Sequence, residues 1–281
     1  MLQVLSSDGV EVAVHRFGGP EGAPPVLLSH ATGFHAHCYR PIADGLVSSF
    51  QVFALDHRGH GATTAPDGWA VDWRRFGDDC IAVCDAIAPS GGIVGIGHSM
   101  GGAALLMAAH RRPDLFRRLV LFEPIAVPPD APVVDMESHP LVVGARRRRR
   151  RFESVDDAID NFRAKPPLSL MRDDVLRCYV EHGFRPDDDE RPGVELICRP
   201  EIEAGIFLTS HLNGVWELLA EVQVPTDVVS GYVADDQPSA RCAELAAALP
   251  AGRAIRWDHQ SHLGPFSHPD ELAAHVVATC R

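Results

Sequence analysis

Residues 93–105 read IVGIGHSMGGAAL and set Ser99 between Gly97 and Gly101. An apolar, β-branched run ends there, and a small-residue helical pattern begins at once. Gly-x-Ser-x-Gly at a strand-to-helix junction is an arrangement for nucleophilic chemistry. The tight turn holds the serine backbone under strain and lifts Oγ clear of the strand, and glycines are needed where a side chain would collide. The helix N-terminus beneath supplies free N–H groups and the positive end of a dipole.

A serine hydroxyl is a weak nucleophile until a base takes its proton. The segment RAIRWDHQSHLGPFSHPDELAAHV offers His259, His262 and His268. His262, in Ser-His-Leu-Gly-Pro after the last strand candidate, is assigned as general base; His259 and His268 are read as loop residues. A carboxylate must orient the imidazole and stabilise its cation. Glu123 ends the apolar run LVLFEPI, where a carboxylate is costly unless hydrogen-bonded. Asp235 follows another strand candidate in PTDVVSGYVADD. Both fall between the serine and the histidine in chain order, and both remain candidates on these residues alone. The developing oxyanion needs donors. The N–H of Met100, next to the nucleophile, is one. Thr32, in LLSHATGFHAH, is expected to supply the other from its backbone. His30 in the same loop is read as structural, as is the DHRGHG turn at 56–61.

Positioning these groups requires a sheet. Short apolar runs at 10–17, 26–29, 51–55, 92–96, 119–122, 226–230 and 254–257 read as strands. Helical patterns lie between most of them, at 76–87, 102–111, 239–248 and 270–279. Nearly continuous apolar strands separated by helices imply an α/β fold with a mostly parallel sheet covered on both faces. The alternation stops after Phe122. Residues 124–224 open on a proline-rich stretch and continue with helix-like segments at 155–164, 173–183, 201–210 and 215–220. They read as a helical cap inserted into a core formed by 1–123 and 225–281. Apolar cap positions such as Ile202, Ile206, Phe207, Leu212 and Trp216 are candidates for a pocket lining or for cap core. Residues 185–193 read as a polar surface loop. The six arginines at 146–151 read as a solvated helix face, with an inward turn toward an anionic substrate group as the alternative.

The chain resembles the α/β-hydrolase-fold family. The Gly97–Gly101 elbow, the DHRGHG turn, the SHATGF loop and the SHLGPFSHP histidine loop fall in the family's order across nearly the whole core. The resemblance implies an α/β-hydrolase fold and a serine-hydrolase mechanism through Ser99, His262 and an acid. Two departures matter. The oxyanion loop reads His-Ala-Thr-Gly where His-Gly is usual. The usual acid position, three residues after the glycine that ends the seventh strand (Gly231), is Ala234, so Asp235 is one residue late. The related haloalkane dehalogenases carry their acid after the sixth strand, where Glu123 stands, and Glu123 is preferred with Asp235 as the alternative. Those enzymes use an aspartate nucleophile, so Ser99 argues against dehalogenation and epoxide opening.

With 281 residues, 46% hydrophobic and 23% charged, the chain can bury a sizeable core. A net charge of −12 argues against nucleic acid or an anionic membrane as partner. No run approaches the ~20 apolar residues of a membrane span, and MLQVLSSDGVEV lacks the pattern of a signal peptide. Seven scattered cysteines without a C-x-x-C suggest reduced thiols in a cytoplasm; Cys80 and Cys84, four apart on a helical pattern, are expected to face the core. Despite fifteen histidines there is no familiar ligand spacing, so no metal and no cofactor are expected. The expected function is hydrolysis of a small or medium carboxylic ester, lactone or thioester through an acyl-enzyme. The alternatives are carbon–carbon bond hydrolysis or cofactor-free perhydrolysis on the same triad, or ligand binding by a hydrolase-like protein. The expected partner is a small-molecule substrate; a homo-oligomer is left open.

Overall fold

The computed structural model describes residues 1–132, 134–187, 193–234 and 237–281. Eight strands form the central sheet: β1 (Leu2–Leu5), β2 (Glu11–Gly18), β3 (Pro25–Ser29), β4 (Gln51–Leu55), β5 (Ile93–His98), β6 (Phe116–Phe122), β7 (Thr226–Ser230) and β8 (Gly252–Arg256). Their order is β1-β2-β4-β3-β5-β6-β7-β8. β1 and β2 run antiparallel to their neighbours, and all other pairings are parallel. The sequence pattern missed β1, whose Leu2 and Leu5 are exposed on a sheet edge and show no buried run. It also started β6 three residues late, because Arg117 and Arg118 interrupt the apolar pattern inside the strand.

Helices cover both faces. α1 (Arg40–Leu46) and α10 (Pro269–Cys280) pack on one; α2 (Arg74–Ile87), α3 (Met100–Arg111) and α8 (Cys242–Ala248) pack on the other. β5 is buried along its whole length, and so are the first ten residues of α3. A helix this rich in alanine and glycine can lie close beneath the sheet, which is why its sequence is apolar all round. Cys80 and Cys84 are fully buried on α2.

Chain order reverses across β4-β3-β5, with β3 between a strand that follows it directly and one that follows later. Loops leaving the carboxyl ends of parallel strands part at such a point and leave a crevice. The loops after β3, β5, β6 and β8 carry Thr32, Ser99, Glu123 and His262 respectively.

Between β6 and β7 lie α4 (Pro140–Arg146), α5 (Val155–Arg163), α6 (Asp173–Gly183) and α7 (Pro200–Leu208). Three short strands, Arg151–Phe152, Phe184–Pro186 and Val194–Leu196, pair antiparallel among them. Strands this short have no periodicity to read, and the sequence had shown none. Aromatic side chains tie this region to the sheet: the Phe34 ring lies 5.5 Å from Tyr179 of α6 and 4.5 Å from Phe266. Ile202 and Ile206 are buried with the core, whereas Leu212 is 71% exposed. The arginine run is not a helix face. α4 ends at Arg146, and the next arginines turn to separate carboxylates: Arg149 to Asp157, Arg150 to Glu195, and Arg148 inward to Glu203. Residues 188–192, within the expected polar loop, lie outside the described residues.

Candidate active site

Ser99 occupies φ 54°, ψ −115°, a conformation that costs a non-glycine residue about 1–3 kcal/mol and persists only where its surroundings enforce it. They do so here. Ser99 N–H donates to the Phe122 carbonyl of β6 at 3.0 Å, and the Ser99 carbonyl accepts from Gly102, Ala103 and Ile125. The flanking glycines are close-approach positions. A β-carbon on Gly97 would meet Gly102 Cα at 2.6 Å, and one on Gly101 would overlap the Ser29 carbonyl.

Glu123 is also strained, at φ 44°, and is 1% exposed. Its N–H donates to Val229 O at 2.9 Å. Its two carboxylate oxygens have different partners: Oε1 accepts the Gly231 N–H at 2.8 Å, and Oε2 meets His262 Nδ1 at 2.7 Å. The hydrogen bonds that a carboxylate at a strand end requires are thus met by a backbone amide and the histidine. Asp235 lies outside the described residues. Among the described residues, the backbone N–H groups of Thr32 and Met100 donate to no protein acceptor. By contrast the Gly33 N–H is consumed by His60 Nε2 at 3.0 Å.

Two residues that the sequence reading passed over hold these loops together. The Ala31 N–H donates to Tyr39 Oη at 3.0 Å, and Tyr39 Oη lies 2.8 Å from His98 Nδ1. His98 Nε2 lies 2.9 Å from the His262 carbonyl. With the tautomer that this chain demands, His98 accepts from the tyrosine hydroxyl and donates to His262. Burial, with His262 nearby, holds His98 well below the usual histidine pKa, which keeps it a neutral relay. The chain links the loop of Thr32 to the loop of His262 through the residue before the serine. Its one sequence signal is a polar histidine inside the elbow of an otherwise apolar strand.

His30 is locked away from solvent. Its Nε2 accepts the His57 N–H at 2.8 Å and its Nδ1 lies 2.8 Å from the Ala31 carbonyl. Burial holds it well below the ordinary pKa. Asp56, in the DHRGHG turn, accepts from the backbone of Ala36 at 2.8 Å and Ala62 at 2.9 Å, and pairs with His15. Burial alone would raise its carboxyl, but the hydrogen bond from His15 and the neighbouring histidines hold it below the usual range. Glu203 of α7 packs against Gly33, and Arg148 donates to it at 2.7 Å while also reaching Tyr179 Oη at 3.0 Å. Burial raises the Glu203 carboxyl against the opposing pull of Arg148.

The chemical groups for attack by a serine hydroxyl stand on neighbouring loops: the strained Ser99, an imidazole that Glu123 orients, and two free amides at the helix N-terminus and the loop after β3. A family model described as "Alpha/beta hydrolase family" matches residues 26–275. Monoglyceride lipase of Mus musculus is 35% identical over 130 residues, covering 44% of this chain and 43% of that protein. The chain thus spans less than half the length of this curated relative. The solved structure of E-2-(acetamidomethylene)succinate hydrolase superposes with a TM-score of 0.80 at 20% identity, covering 99% of this chain and 98% of that one. The thioesterase domain from the curacin biosynthetic pathway superposes at 0.79 with 19% identity, covering 98% of both chains. At these identities the structural likeness speaks to the fold.

Proposed function

The chain belongs to the alpha/beta hydrolase family, and on that premise we propose that it is a serine hydrolase acting on a small or medium carboxylic ester, lactone or thioester. The observation that carries this reading is the Glu123–His262 contact at 2.7 Å, on loops at the same sheet edge as the strained Ser99. In the mechanism Ser99 Oγ attacks the acyl carbonyl as His262 Nε2, the nitrogen that Glu123 leaves free, takes its proton. The Met100 and Thr32 amides receive the oxyanion. His262 returns the proton to the leaving group, and the acyl group stays on Ser99. Water then repeats the sequence, with His262 again as base, and releases the acid. Glu123 keeps the imidazole in the productive tautomer and stabilises its cation throughout.

Residues 124–224 act as a cap that chooses the substrate, and Glu203 and Arg148 face the oxyanion loop from it. The relative matched by sequence, a monoglyceride lipase, supports acyl chemistry without selecting the acyl group. No helix among the described residues is long and apolar enough to cross a membrane. All seven cysteines are free, which supports a place in a reducing cytoplasm. A small-molecule substrate, with no cofactor, is the partner this reading requires.

The test is a panel of a p-nitrophenyl ester, a lactone, a thioester, a vinylogous 1,5-diketone and acetate with peroxide, run with wild type and Ser99→Ala. The reading expects turnover on at least one acyl substrate and its loss in the variant. Turnover retained in Ser99→Ala overturns it. Activity on the diketone or with peroxide alone moves the assignment to those chemistries, and tight ligand binding without turnover moves it to a binding protein.

A further inference from the structure

His259 and His268 are read from the sequence as loop residues, and Glu271 follows them on the terminal helix. The fold brings one ligand atom from each to within 4.8 Å of the others. Their spacing, histidine to histidine over nine positions and then to glutamate over three, matches no familiar ligand pattern. It works because α9 (Gly264–Ser267) doubles the chain back before α10 begins. His268 precedes α10 and Glu271 sits in its first turn, facing His259 across the loop.

The set is ordered by a contact within it and by groups outside it. His259 Nε2 lies 2.8 Å and 3.0 Å from the two Glu271 oxygens. Gln260, itself 1% exposed, donates to Glu271 Oε2 at 2.9 Å and so fixes the carboxylate. Ser267 Oγ lies 2.8 Å from His268 Nδ1, which leaves His268 Nε2 as its free nitrogen. The two imidazoles stand edge to face, centroids 5.3 Å apart. Metal-binding histidines characteristically have their second nitrogen engaged in this way, and binding carboxylates are themselves hydrogen-bonded.

We propose that His259, His268 and Glu271 form a binding site for a divalent transition-metal ion of borderline softness, such as Zn2+ or Co2+. Two imidazole nitrogens and one carboxylate oxygen suit such ions and not Mg2+ or Ca2+, which prefer all-oxygen sets. Bonds of about 2.1 Å in a tetrahedron place ligand atoms about 3.4 Å apart, so the exposed His259 ring and the Glu271 carboxylate close inward by a rotamer adjustment. On binding, His259 Nε2 exchanges its hydrogen bond to Glu271 for the metal and carries its proton on Nδ1. The fourth position is left to water.

The ion would tie together the two ends of the loop that holds His262. Gln260 links it further, since its carbonyl accepts the Tyr232 N–H at 2.8 Å, one residue after the Gly231 amide that holds Glu123. Occupancy therefore stiffens the His262 loop without touching the reacting atoms.

The full chain, stripped with chelator, is titrated with Zn2+ and separately with Co2+ by calorimetry. Thermal melts are recorded with and without each ion. The expected result is saturable one-to-one binding and a raised Tm, with affinity weakened more than about 100-fold in His268→Ala and in Glu271→Gln, beyond the loss that removal of an outer-shell partner brings. His182→Ala is the control, because its ring stacks on His37 at 3.7 Å in a separate histidine cluster; it should bind as wild type. If His268→Ala melts, Glu271→Gln decides. Non-saturable binding, binding unchanged in Glu271→Gln, or binding lost in His182→Ala each overturns the site.

Discussion

Replacing Glu123 by Gln is the most informative single perturbation of the proposed triad. The carboxylate meets His262 Nδ1 at 2.7 Å in a buried position, so it attracts the imidazolium that forms when Ser99 loses its proton. Two unit charges about 4 Å apart at an effective dielectric near 20 interact by about 4 kcal/mol. Glutamine keeps the size and an oxygen for the Gly231 amide, but it carries no charge and can hold the imidazole in the wrong tautomer. At about 1.4 kcal/mol per decade, kcat/KM should fall by about 10^3, chiefly in kcat because the loss lies in the transition state. The assay is hydrolysis of the best substrate from the panel, with a thermal melt to show that the variant is folded. Asp235→Asn, made alongside, should stay within about threefold, since the triad needs one acid and Glu123 fills that place. Glu123→Gln retaining more than about a tenth of wild-type activity, or Asp235→Asn losing as much as Glu123→Gln, would refute the reasoning.

Other expectations concern the supports of the site. Arg148→Ala leaves Glu203 buried and unpaired beside Gly33, and should cost about 3–5 kcal/mol in urea unfolding; a change under about 1 kcal/mol would mean that the pair is solvated. Tyr39→Phe strands the Ala31 amide and His98 Nδ1. Stability should drop by about 1–3 kcal/mol, and kcat should fall with KM nearly unchanged; wild-type values for both would remove the relay from the account. His57 and His60 are held by burial at about 3 and about 4, below the free value of 6.5. The unfolded chain therefore binds protons that the folded chain refuses. Their contribution is full above pH 6.5 and is lost as pH falls toward 4 and then 3, roughly 2 kcal/mol for each imidazole between pH 7 and pH 5. A Tm that does not fall over that interval would contradict their burial as neutral groups.

The sheet was legible because parallel strands buried on both faces read as unbroken apolar runs, and the elbow because only glycine tolerates contact with Gly102 and Ser29. That Glu123 needs donors was legible, because a carboxylate ending an apolar strand is costly without them; that His262 is one of them was not, since the residues left Asp235 open as well. The relay from Tyr39 through His98 was not legible, since it joins loops separated by 59 and 164 residues. The arginine run misled for a related reason. Its pattern is that of a solvated surface, and the acidic partners that divide it come from other elements. His259, His268 and Glu271 meet only because a four-residue helix reverses the chain, and nothing in their spacing announces it.

The central claim is that Ser99 is an activated nucleophile. A fluorophosphonate probe, which forms a stable adduct only with such a serine, tests it without knowledge of the substrate. Incubation followed by peptide mass spectrometry should find one adduct, on Ser99, abolished in Ser99→Ala and slowed in Glu123→Gln. An unlabelled chain, or an adduct on a different serine, would contradict the account.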